Sequence, residues 1–104
     1  MGVHFTMAVP WFRRQDYAIL RQMLDAPEQL PGSYELWAQT AHRLVTSLRS
    51  NHVSTHIVVV TSEDLEDFCE LSGLRPTLRA CEVIASVELA RSMASEYETS
   101  RQVH

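Results

Sequence analysis

The chain contains no lysine: all nine of its basic residues are arginine. That absence removes Schiff-base catalysis, covalent pyridoxal-phosphate attachment and a phosphate-loop lysine. It leaves arginine as the only permanent cation that could hold an anion. Two cysteines, Cys69 and Cys81, are too few for a disulfide framework. No run approaches the ~20 apolar residues of a membrane span, and no charged stretch followed by an apolar one opens the chain. A soluble cytoplasmic protein without a membrane partner is therefore expected. The net charge of −4 speaks against a surface built for phosphate backbones, so no nucleic-acid partner is expected either.

What is present fits one small globular domain. Residues 1–104 are 45% hydrophobic and 21% charged, with only three glycines and four prolines. That composition belongs to chains that can bury a core, not to disordered ones. The chain is long enough to do so as a single domain.

The pattern most committed to one structure is His56 to Thr61, His-Ile-Val-Val-Val-Thr. It is a β-branched run at the centre of a strand expected over Val53–Thr61, apolar on both faces from Ile57 to Val60, as in strands covered on both sides. The opening segment alternates, with Val3, Phe5, Met7 and Val9 on one side and His4, Thr6 and Ala8 on the other. That period of two predicts a first strand, Val3–Val9, ended by Pro10, which has no N–H to donate. Met7 offers an internal start that would shorten it.

Four helices are expected. The first runs from about Arg13 to Ala26, with Tyr17, Leu20, Met23 and Leu24 inward, and stops before Pro27. Ser33 caps the second. Its stripe is Tyr34, Trp37, Ala41, Leu44 and Leu48, and Asn51 terminates it as a left-handed residue. Ser62 caps the third, whose first turn carries Glu63, Asp64 and Glu66 toward the helix dipole. Leu65, Phe68, Cys69 and Leu71 form its apolar side, and Gly73 ends it. Pro76 opens the fourth at its first position, and that helix ends near Ser95 with a frayed tail over 96–104. The fourth helix is apolar around most of its circumference, from Leu78 through Ala94, and so is either central or an interface. The fold class is α+β, in the order β-α-α-β-α-α: a small two-stranded sheet packed against four helices that lie mainly on one face. Two strands make a marginal sheet, so extension across a homodimer is expected.

Candidate chemistry is sparse. His52 and His56 have H-x3-H spacing, but on a strand at ~3.3 Å per residue they stand about 13 Å apart, too far to share an ion. No metal site and no cofactor is expected. The acidic group Glu63, Asp64, Glu66, Asp67 and Glu70 reads as dipole and solvation residues. Cys69 has no adjacent cation to support a thiolate; it and Cys81 read as core. A helix-turn-helix over Leu65–Val83 fails because Arg79 falls where an apolar residue belongs, six positions beyond Gly73. Trp11, Tyr17, Tyr34 and Trp37 read as core aromatics. A ligand site, if built, lies where Trp11, Trp37 and Arg14 converge, because arginine beside aromatic walls suits a carboxylate. His56 is the remaining candidate ligand-binding residue. No catalytic residue is assigned.

Several local signatures form a longer pattern: Pro10-Trp11-Phe12 followed by Asp16-Tyr17; Leu30-Pro31-Gly32-Ser33-Tyr34 with Trp37; and Phe68-Cys69 ahead of Ser72-Gly73-Leu74. This pattern resembles that of a group of short hypothetical bacterial proteins and covers most of the chain. It departs from theirs at Phe68-Cys69, where no tryptophan precedes the cysteine. The resemblance implies a bacterial origin and a shared fold, and no mechanism. With no activated nucleophile or acid–base pair, the expected function is a small, acidic, non-enzymatic, homodimeric interaction or regulatory module that also engages another protein. The alternative is a small-ligand-binding protein or enzyme with a site assembled at the dimer interface.

Overall fold

The computed structural model describes residues 5–102. Among them the order is β1 (Thr6–Trp11), α1 (Tyr17–Met23), a 3-10 turn (Pro27–Gln29), α2 (Tyr34–Ser50), β2 (Ser54–Val59), α3 (Ser62–Ser72) and α4 (Leu78–Gln102). This is the expected α+β order. The two strands form a parallel sheet in which Thr6 pairs with Ser54 and Trp11 with Val59. A parallel pair cannot be joined by a hairpin. The long α1–α2 crossover supplies the return.

Pro10 does not end β1 but lies within it, opposite Val58. Outside the paired span, the Phe5 carbonyl accepts from Ser54 N–H and the Trp11 carbonyl accepts from Val60 N–H. In a parallel ladder the bonding residues alternate. The odd-numbered residues of β1 therefore face β2, and Pro10 belongs to the outer row. A proline there interrupts no ladder bond.

Helices cover both faces of the sheet, not mainly one. Paired residues share a face, so Val9, Trp11, Ile57 and Val59 look one way. Trp11 meets Trp37 and His42 of α2 on that side, with ring centroids 5.0 Å apart in each case. The opposite face, with Ala8, Pro10 and Val58, is covered by α4, whose Ala80, Cys81 and Ala85 are buried. Small residues on both surfaces let helix and strand approach closely. α3 packs on α1 and α4 beside them. Leu20, Val60, Leu65 and Cys81 are fully enclosed.

Helix ends account for most of the shifts from expectation. α1 is shorter than Arg13–Ala26: residues 14–16 form a turn, and Leu24 is already extended (ψ 142°). Ser33 caps α2, its hydroxyl accepting from Leu36 N–H. The left-handed residue after α2 is His52 (φ 62°), not Asn51. His52 N–H reaches the Arg49 carbonyl and Val53 N–H reaches Leu48, the paired bonds of a Schellman ending. Thr61, not Ser62, caps α3, in a reciprocal box with Asp64. Gly73 ends α3 with φ 74° as expected. Pro76 lies ahead of α4, whose first turn is capped by the Thr77 hydroxyl accepting from Ala80 N–H at 3.1 Å.

Two apolar stripes also differ. Along α2 the buried residues are Trp37, Ala41 and Val45, while Leu44 is exposed. Steps of four keep a residue nearer the facing sheet than the step of three that would have used Leu44. Leu71 of α3 is 90% exposed instead of packed. α4 divides in two: its first turns are central, whereas Val87 and Met93 are open to solvent. It continues to Gln102, beyond the expected end. The radius of gyration, 15.5 Å, exceeds the ~13 Å usual at this length, as a projecting helix requires.

Candidate functional site

The aromatic residues singled out from sequence do converge. Trp11 stands edge-on to Trp37, and Phe12, Tyr17 and Tyr34 each lie within 5.9 Å of the Trp37 ring. Offset and edge-on rings at such spacings attract beyond their burial alone. Tyr34 donates its hydroxyl to the Phe12 carbonyl at 3.0 Å, and Tyr17 donates to the Pro31 carbonyl. Burial raises the Tyr17 pKa, with the nearby Arg21 charge opposing it. The rings therefore form the core joining β1 to α2.

Arg14 reaches this cluster but is occupied. Its guanidinium lies 4.8 Å from the Tyr34 ring centroid and pairs with Glu35, whose carboxyl it holds below the usual range. Arg14 is thus a lid over Tyr34 and is not aimed between the tryptophans. His56 belongs to the other face, in register with Ala8, and does not join the other three candidates.

A small cavity of about 190 Å³ borders the cluster between Trp11, His42, Val45, Arg49 and Ile57. Arg49 Nε donates to the Thr55 hydroxyl at 2.9 Å. His42 and Arg49 were not singled out from sequence. The available signal was the ridge Ala38, His42, Val45 and Arg49, spaced four, three and four, which flanks the buried stripe but is too polar to read as inward-facing.

A second, larger concavity of about 650 Å³ follows the outer edge of β2. Its floor is His56 to Val59, one wall is Asp67 and Phe68 of α3, and the other is Ile84, Glu88 and Arg91 of α4. Even-numbered residues of β2 bond to β1, so Thr55, Ile57 and Val59 turn their N–H and C=O groups outward. Ile57 and Val59 are each 39% exposed. The ion pairs among the described residues are Arg14–Glu35, Arg75–Asp25 and Arg79–Glu82, none of them in this groove.

The titratable groups do not assemble a reactive centre. Burial pushes the Cys81 thiol up to about 12, with Cys69 and Glu82 adding to the shift. Burial and the Asp25 charge likewise raise Cys69. Neither thiol supplies a thiolate near neutral pH. The Asp16 carboxylate accepts from Ser62 N–H at 2.6 Å and Ser62 Oγ–H at 2.5 Å, tying the start of α1 to the start of α3. Arg75 grips Asp25 through two bonds and lowers its pKa. The described residues contain no group of three or more side chains placed to hold a metal ion, and no helix among them is long and apolar enough to cross a membrane. No family model, curated protein or solved structure matches the chain.

Proposed function

We propose that this protein is a non-enzymatic, homodimeric interaction module that works through the open margin of β2. The observation carrying this reading is the outward row of backbone groups at Thr55, Ile57 and Val59, the last two set in a groove between α3 and α4. An unpaired strand edge is a template for a further strand, and flanking side chains add selectivity. The polar groups that a small catalytic site would use are spent elsewhere: Asp16 on Ser62, Arg14 on Glu35 and Asp64 on the α3 cap. The module itself is tested by light scattering at micromolar concentration. About twice the chain mass of 11.9 kDa is expected. A clean monomer that captures no partner strand removes the reading.

A second reading rests on the cavity beside Trp11, where Arg49 adjoins an aromatic wall. At about 190 Å³ it is smaller than the ~300 Å³ at which ordinary ligand pockets begin. A second chain would have to enlarge it, making this a small-ligand site completed at the interface. Thermal-shift screening against carboxylate metabolites tests it. Stabilisation lost on Arg49→Ala supports a ligand site, and silence across the screen removes it.

A further inference from the structure

The groove along β2 shows what kind of partner it fits. Its α3 wall carries Asp64 and Asp67, and its α4 wall carries Glu88 and Arg91, opposite charges one turn apart and neither in an ion pair among the described residues. Complementary charges across an interface fix its partner and register. An antiparallel copy of α4 presents that same pair in reverse order, so each charge meets its opposite. The other edge of the sheet offers no equal alternative, since Pro10 removes one of the three donors of its outer row, Thr6, Ala8 and Pro10.

We propose that two chains pair antiparallel through β2, about a two-fold axis at Ile57, into one four-stranded sheet in the order β1-β2-β2-β1. This rests on the module reading above and names its surface and partner. Ile57 is the middle of the three outward-facing residues, so an axis there uses every free group. Ile57 meets the partner's Ile57, and Thr55 meets the partner's Val59, with about six added backbone hydrogen bonds. The same axis brings the two α4 helices together antiparallel over the sheet. Glu88 and Arg91 are one turn apart on the groove side of α4. An antiparallel copy sets Glu88 of each chain toward the partner's Arg91, and the exposed Val87 into the apolar contact between them. The interface is isologous, as closed dimers require.

Cysteine crosslinking in a Cys69→Ser background tests this register. Directly opposed residues of a bonded antiparallel pair have Cα atoms ~5.5 Å apart, within disulfide reach. Ile57→Cys should link to itself under mild oxidation. Val59→Cys alone should not, because it lies ~14 Å from its own copy at ~3.4 Å per residue. An equimolar mixture of Thr55→Cys and Val59→Cys chains should form the mixed link. Glu88→Arg and Arg91→Glu should each weaken the dimer on the order of tenfold. Mixing those two variants should restore it, which no effect on the fold of a single chain would produce. A dimeric mass without the Ile57 link overturns this interface and leaves the module reading standing. A monomer that binds an unrelated extended segment on β2 overturns self-pairing alone. A monomer that binds nothing overturns both.

Discussion

The two margins of the sheet are alike in length and opposite in condition. The outer row of β1 contains Pro10, and the strand leads into Trp11 and Phe12, whose rings lock onto α2. The outer row of β2 contains Ile57 and Val59, which can both donate and accept, beside a groove whose charges are unpaired. One side lacks a donor in its outer row, and the other offers a complete row to a partner. In so small a sheet, a single proline is enough to decide which edge is available.

The largest expected effect tests the closed side. Trp37 contacts Trp11, Phe12, Tyr17 and Tyr34, so Trp37→Ala should cost about 3–5 kcal/mol in urea denaturation. Ile57→Thr at the open margin should cost a single chain under about 1 kcal/mol. Equal losses at the two sites would erase the distinction. Next comes the Asp16–Ser62 tie, a carboxylate with two donors joining distant parts of the chain. Asp16→Ala should cost about 1.5–3 kcal/mol, as hydrogen bonds to a charged group do.

A smaller effect is set by pH. The folded Cys81 pKa lies above its unfolded value, so its contribution to stability is complete below about pH 9 and falls as pH rises toward about 12. The slope should not exceed ~1.4 kcal/mol per pH unit, and Cys81→Ala should flatten it in an alkaline denaturation series. The smallest effect is a gain. His52 holds φ at 62°, and His52→Gly should add about 0.5–1 kcal/mol by melting temperature.

The parts of this fold legible in sequence are those governed by neighbours along the chain. Ser33 before an amphipathic stripe and Gly73 after one carry their own local physics and occupy their expected places. The β-branched run does form a strand, but one that ends at Val59 and leaves Ile57 and Val59 open instead of covered on both faces. Pro10 misled because a missing N–H ends a strand only when that N–H faces the ladder, and the facing depends on which side the partner takes. The Thr61 cap was missed by one residue because Ser62 has equal capping chemistry. What separates them is Asp16, 46 positions away, which claims the Ser62 hydroxyl. Leu44 and Val45 are equally apolar, and only the direction of the covering sheet selects Val45. Of the candidate site, the meeting of Trp11 and Trp37 could be foreseen. The capture of Arg14 by Glu35 and the separation of His56 are tertiary facts with no local signature.

The open margin itself is tested most directly by amide hydrogen exchange across a dilution series. His56 and Val58 amides, bonded to β1, should stay protected at every concentration. Ile57 and Val59 amides should exchange freely in dilute protein and become protected as concentration rises through the dimerisation range. Exchange at Ile57 and Val59 that is slow when dilute, or that ignores concentration, would contradict the account.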